Sequence, residues 1–212
     1  MTQSDELALL CIRARKPDRQ VGELLRLAKK LARRRDKSKA VSCIRLAAEI
    51  TEDRIGKWID RFMVYNDLIG FLAELRQFEE ALKIADKVKP PSLKSYAFAM
   101  VSKGYLKHGE LEKALLIADK VSQPSPKGNL LIDIAEWCMA NDKPAKARKL
   151  LSAALATAQT PTLQKDDKAE MCASIALWYS DLGMPREALH AAEMIQHKKK
   201  KELVLKQIGQ GL

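Results

Sequence analysis

The side chains best suited to metal ligation or nucleophilic work are three histidines, His108, His190 and His197, and four cysteines, Cys11, Cys43, Cys138 and Cys172. Neither set has the spacing its chemistry needs. Protein zinc sites use ligand pairs a few residues apart, yet no histidine here has a cysteine or second histidine at that distance, and no Cys-x-x-Cys occurs. The glycine-rich phosphate loops, the Gly-x-Ser-x-Gly elbow and the His-Glu-x-x-His helix are also missing from the sequence. Glu79-Glu80 and Asp166-Asp167 are carboxylate pairs. Both stand where helices are expected to begin, and there acidic groups complement the helix dipole. The residues therefore predict no enzyme, no cofactor and no metal. The cysteines each lie within an apolar helical face and read as small core hydrophobes.

The elements that would position any site are helices. The 212 residues are 47% apolar and 31% charged, the balance of a folded chain, and apolar–polar alternation of strand type is not sustained anywhere. No apolar run approaches the ~20 residues that cross a bilayer. Asp5 and Glu6 stand where a secretory signal would carry positive charge. With the unpaired cysteines, these features predict a cytoplasmic protein. Its formal charge of +11 is uneven. Residues 1–61 hold 16 Lys/Arg against 9 Asp/Glu, residues 62–197 hold 17 of each, and residues 198–212 hold 5 against 1. The basicity belongs to the two ends.

An internal repeat organises the chain. Glu80-Ala81-Leu82-Lys83-Ile84-Ala85-Asp86-Lys87-Val88 returns 33 residues later as Lys113-Ala114-Leu115-Leu116-Ile117-Ala118-Asp119-Lys120-Val121. Equivalent anchors are Leu7, Ala40, Ala81, Ala114, Ala147 and Ala188, in steps of 33, 41, 33, 33 and 41. Before each anchor but the first runs a second apolar stripe at helical spacing: Leu24, Leu27, Ala28, Leu31; Phe98, Val101, Tyr105; Leu131, Ile134, Ala135, Cys138; Cys172, Ile175, Ala176, Tyr179. Between stripe and anchor stand helix stops and starts such as Gly109, Asn141-Asp142-Lys143-Pro144 and Gly183-Met184-Pro185. The unit is helix–turn–helix, with a small anchor where two helices approach closely. The extra residues of the long steps fall around Thr51–Lys57, read as helix extension, and around Gln159–Asp167, read as a loop before a helix starting near Lys165.

Such a unit resembles the tetratricopeptide repeat, a helix pair of ~34 residues with small residues at the crossing and a closing proline. Repeat three matches best, through Val101, Tyr105, Gly109, Leu111, Ala114, Ala118, Val121 and Pro126. Phe98 replaces the family's tryptophan and Ser102 its first-helix glycine. The resemblance implies an all-α, right-handed superhelix of about five antiparallel helix pairs with a capping helix at each end. The corresponding boundaries are a single domain over 1–212: an N-terminal cap over 1–17, five repeats over 18–197 and a C-terminal cap over 198–212. In the cap, Leu205, Ile208, Gly209 and Leu212 continue the stripe. A chain that is part of a longer array would read the same way.

The resemblance also implies a scaffold or adaptor that binds another protein, as a peptide or helix laid along the first-helix surface. Carrying the register across presents Leu25, Lys29, Ala32 and Arg33; Met63, Asn66, Gly70 and Ala73; Tyr96, Ala99, Lys103, Leu106 and Lys107; Asn129, Ile132, Glu136 and Met139; and Glu170, Ala173, Leu177, Ser180 and Asp181. That surface is basic toward its N-terminal half and acidic toward its C-terminal end. The Lys, Asn and Arg set with which tetratricopeptide co-chaperones grip a C-terminal carboxylate is not reproduced, since Asn66 and Lys103 stand isolated. Nucleic acid is the alternative partner. Arg26, Lys29, Lys30, Arg33, Arg34, Arg35, Lys37 and Lys39 cluster in a short stretch, and Lys198, Lys199, Lys200 and Lys201 form a second patch. Few aromatics interleave with them, so contact would be to phosphates and salt-sensitive. A chaperone for a secreted or assembling protein is a further alternative. Phe71, Trp137 and Trp178 share one register, which reads as packing between units.

Overall fold

A five-fold recurring turn sets the architecture. In the computed structural model, which describes residues 16–210, five residues have positive φ between helices: Arg35 (64°), Arg76 (59°), Gly109 (78°), Asp142 (55°) and Gly183 (66°). Each lies five residues before an anchor alanine. Its N–H closes the preceding helix by donating three residues back, as from Arg35 to the Ala32 carbonyl (2.9 Å) and from Gly183 to that of Ser180 (2.9 Å). The next residue donates five back, as from Gln77 to Leu72 (2.8 Å) and from Lys143 to Cys138 (2.8 Å). These bonds form the Schellman closure that satisfies carbonyls at a helix end. The carbonyl of that same residue then accepts from the anchor N–H, as Gln77 does from Ala81 (3.1 Å) and Glu110 from Ala114 (3.0 Å), which starts the second helix.

The helices so delimited are α1 (Pro17–Arg33), α2 (Lys37–Arg54), α3 (Trp58–Glu74), α4 (Phe78–Lys87), α5 (Pro91–Lys107), α6 (Leu111–Ala118), α7 (Pro124–Ala140), α8 (Pro144–Ala158), α9 (Lys165–Asp181), α10 (Pro185–Glu193) and α11 (Lys198–Gln210). Neighbouring helices pack in pairs, with no strand among the described residues. Proline occupies the first turn of α1, α7, α8 and α10, where its missing N–H costs nothing. The expected N-terminal cap, with Leu7 and Cys11, lies outside the described residues.

The chain divides into two compact units, Met1–Tyr105 and Leu106–Leu212. In the first, α1 packs on α2, α2 on α3 and α3 on α4; in the second, α7 packs on α8, α9 on α7, α8 and α10, and α11 on α9 and α10. The anchor alanines Ala40, Ala81, Ala114, Ala147 and Ala188 are all 0% exposed. Most of the expected stripes are buried as well: Phe98, Val101 and Tyr105; Leu131, Ile134, Ala135 and Cys138; Cys172, Ile175, Ala176 and Tyr179. In the first stripe Leu24 and Ala28 are buried, but Leu27 and Leu31 only half so. The tetratricopeptide-like positions Ser102, Val121 and Pro126 are also buried.

Helix lengths account for the long steps. The second helices α2 and α8 run 18 and 15 residues, against 10, 8 and 9 for α4, α6 and α10. The extension after Thr51 stops at Arg54, and Ile55–Lys57 is a break before α3, so the helix does not run on into Trp58 as expected. The later insertion adds a non-helical link before α9, which begins at Lys165 as anticipated. In α11 the expected stripe is corrected. Val204 and Ile208 are buried, Leu205 is half-buried and Gly209 exposed, and Leu212 lies outside the described residues. One residue is about 100° around a helix. The side of α11 that meets α9 and α10 is therefore the Val204–Ile208 side.

Candidate interaction surface

The second helices spend their charges on each other. Arg45 on α2 donates from Nε and Nη2 to both carboxylate oxygens of Glu80 on α4 (3.0 and 2.8 Å), and Lys83 adds a bond at 2.9 Å. Hydrogen bonds from Arg45 and then Lys83 hold the Glu80 carboxyl at about 2, well below its ordinary range. Glu52 on α2 pairs with Lys87 on α4 (2.5 Å), and Glu112 on α6 with Lys146 on α8 (2.6 Å). Each pair links residues about one repeat apart. Under the first of these lies a cleft of about 270 Å³ between α2 and α4, floored by Val41, Ile44, Ala48 and Ile84 and rimmed by Arg45 and Glu80. Sequence reasoning gave the second helices no site and did not anticipate this cleft.

The first helices are covered more than the register alone implies. Ala73, Ala99, Leu106, Ile132 and Ala173, expected at the partner-facing surface, are buried. The cause is close approach between first helices. A Cβ on Gly104 of α5 would stand 2.7 Å from the Ala73 Cβ of α3, and one on Gly70 would lie 3.7 Å from the Met100 Cε. In the second unit α7 packs on α9. Within each unit, fewer first-helix positions stay accessible than the register implies. Lys29 and Arg33 on α1, Tyr96, Lys103 and Lys107 on α5, and Asn129 and Glu136 on α7 are exposed, while Asn66 on α3 is half-buried.

In the first unit, exposed apolar bulk is concentrated on α3 and α5. Seven large apolar side chains are exposed among the described residues, and four of them, Trp58, Ile59, Met63 and Tyr96, lie on α3 and α5. Trp58 is 56% exposed and Met63 59%. The other three, Leu116, Leu189 and Leu203, are scattered over separate helices. Sequence reasoning placed Met63 and Tyr96 on this surface but passed over Trp58 and Ile59. Their signal was legible: apolar residues at 58, 59, 62 and 63 are too many for a single buried stripe. Beside Trp58 a small pocket of about 70 Å³ is lined by Glu52, Trp58, Arg61, Phe62, Tyr65, Lys87 and Lys89. Burial, then the neighbouring Glu52 charge, push the Tyr65 hydroxyl up to about 12, so it stays a neutral phenol.

The N-terminal basic cluster is exposed throughout: Arg26, Lys29, Lys30 and Arg33 on α1, Arg34 and Arg35 in the turn, Lys37 and Lys39 at the start of α2. Arg26 pairs with Glu23 (2.7 Å) and Lys39 with Asp36 (3.0 Å). At the other end Lys198 and Lys199 are exposed, Lys200 pairs with Glu170, and Lys201 donates to the Glu193 carbonyl (3.4 Å). Of the residues at the shared aromatic register, Phe71 is buried, whereas Trp137 and Trp178 are half-buried. The Lys143 ammonium stands 5.0 Å from the Trp137 ring centroid. Cys43, Cys138 and Cys172 are buried, and burial raises the pKa of Cys138 and Cys172. They are inert core thiols; Cys11 lies outside the described residues. Among those residues no three His, Cys, Asp or Glu side chains gather as metal ligands, and no helix is long and apolar enough to cross a membrane.

No family model and no curated protein matches the chain. Among solved structures it is similar to the crystal structure of Ton1535 from Thermococcus onnurineus NA1, with a TM-score of 0.41 and 16% identity. That match covers 88% of this chain and 57% of the other, so the chain spans a little over half the length of the structure it resembles.

Proposed function

We propose that the protein is a non-catalytic, tetratricopeptide-like scaffold of the cytoplasm that binds another protein, as a peptide or helix, along its first helices. The observation that carries this reading is the concentration of exposed apolar bulk, Trp58, Ile59, Met63 and Tyr96, on the first helices of repeats two and three. Apolar side chains exposed singly need no explanation, but a group of them rimmed by polar residues marks an interaction surface. Lys103, exposed seven residues after Tyr96 and so on the same side of α5, supplies the polar rim. Burial at the repeat-three positions supports the repeat assignment; the right-handed superhelix is what the resemblance implies.

A second reading, phosphate-backbone binding of nucleic acid, is favoured by one observation. Among the described residues, Lys29, Lys30, Arg33, Arg34, Arg35 and Lys37 are exposed and make no ion pair. The test is affinity capture from native lysate by the purified protein, with nuclease-treated and high-salt arms. A defined protein partner that survives both and is lost with Lys103→Glu and Lys107→Glu supports the scaffold. Recovery of nucleic acid alone, lost in high salt, overturns it in favour of the basic cluster.

A further inference from the structure

The break at Ile55–Lys57 does more than lengthen a repeat. It brings the first turn of α3 against the end of α2 and the loop after α4, and the pocket of about 70 Å³ forms there. One wall is aromatic: Trp58, Phe62 and Tyr65, with Ile59 and Met63 exposed on the same helix. The remaining lining holds three cations, Arg61, Lys87 and Lys89, against one carboxylate, Glu52. Lys87 is already engaged by Glu52, and Arg61 donates its Nε to the Ile55 carbonyl. Lys89 is exposed and makes no ion pair among the described residues. α3 begins on Lys57 without a side-chain cap, so the first N–H groups of that helix face the same end without a side-chain acceptor. Those uncapped N–H groups favour an anion, although Asp60 in the same first turn already meets part of the helix dipole.

We infer that this pocket is a docking point for an acidic peptide segment, taking an aromatic or aliphatic side chain on Trp58 and Phe62 and an adjacent carboxylate beside Lys89, Arg61 and the start of α3. The inference rests on the protein-binding reading above and names the chemistry of the partner. The excess of cations disfavours a positively charged ligand, which would otherwise suit a wall of three aromatic side chains. A peptide carboxylate next to an apolar side chain satisfies both halves of the pocket at once. A bare phosphate chain would leave the aromatic wall unused.

The probe is a short synthetic peptide alternating Glu with Leu and Phe, labelled for fluorescence anisotropy and titrated with the full chain. Three controls accompany it: Lys for every Glu, Ser for every Leu and Phe, and oligothymidylate of matching length. The acidic apolar peptide should bind about tenfold or more tighter than either peptide control. Trp58→Ala should weaken it about tenfold and Lys89→Glu about fivefold, with helicity unchanged because both side chains are exposed. Equal binding of the Lys-substituted peptide, or no peptide binding at all, overturns the inference. So does tighter binding of oligothymidylate that is lost in Trp58→Ala, which would make the pocket a base-stacking site. Peptide binding that survives Trp58→Ala but is lost in Lys103→Glu with Lys107→Glu retains the scaffold and removes the pocket from it.

Discussion

Replacing Glu80 with Gln tests whether charges on the second helices tie one repeat to the next. Glu80 accepts from Arg45 of the preceding repeat and from Lys83 of its own helix, and these bonds lower its pKa from 4.5 to about 2. At about 1.4 kcal/mol per pKa unit, that depression bounds the pH-dependent contribution at about 3–4 kcal/mol. The Glu80 side chain is 15% exposed, but Arg45 and Lys83 are 58% and 68% exposed. Water and salt screen such a cluster, which brings the expected value to about 1 kcal/mol. The sign follows from linkage. The folded carboxyl stays ionised where the unfolded one begins to bind a proton, so the stabilisation is whole above about pH 4.5 and is lost as pH falls toward 2. Urea unfolding followed by circular dichroism should show Glu80→Gln less stable than wild type by about 1 kcal/mol at neutral pH. The gap should narrow steadily below about pH 4.5 and shrink in high salt. A gap that is absent at neutral pH, or that is the same at neutral pH and near pH 3, refutes the reasoning.

Four further substitutions test the packing and one of the turns. Ala114→Arg and Ala147→Arg each force a charged side chain into a position that is 0% exposed, and each should cost more than about 3 kcal/mol, read as lost helicity and a lowered melting temperature. Unchanged melting in both would sink the repeat register. Gly104→Ala places a Cβ 2.7 Å from the Ala73 Cβ, a contact without a flexible end to yield, and should lower stability by about 1–3 kcal/mol in urea. Gly183→Ala meets nothing within 4 Å, so its cost should be that of positive φ alone, about 1 kcal/mol in the same assay.

The fold was legible because helix pairs repeat one pattern of small and large residues, and each repeat checks the others. The anchor alanines were readable as a register before any contact was known, and Gly109 and Gly183 announced two turns outright. Arg35 and Arg76 did not, since neither residue type favours the left-handed region. The hydrogen bonds on both sides hold them there, and the register alone locates them. The final helix shows the limit of this method. No following repeat packs on α11 among the described residues, so no periodic constraint chose between Leu205 and Val204 for its buried side.

The surface was less legible, because register gives the direction in which a side chain points but not how near the neighbouring helix comes. Ala73 and Gly104 illustrate the difference: their small size lets α3 and α5 close up, and the closing buries positions that direction alone would leave to a partner. The same argument runs the other way at Trp58 and Ile59. They follow a break that the repeat does not predict, and they stay uncovered because α3 is already apolar on its buried side through Tyr65, Leu68, Ile69 and Leu72. Charge sorts by a similar rule. Opposite charges about one repeat apart on second helices, such as Arg45 with Glu80 and Glu52 with Lys87, neutralise each other and stabilise the array. Exposed cations that fall outside that ladder, Lys29 and Arg33 on α1 and Lys89 after α4, have no such partner among the described residues. On the proposed protein-binding reading, theirs is the charge that an acidic segment of a partner would meet.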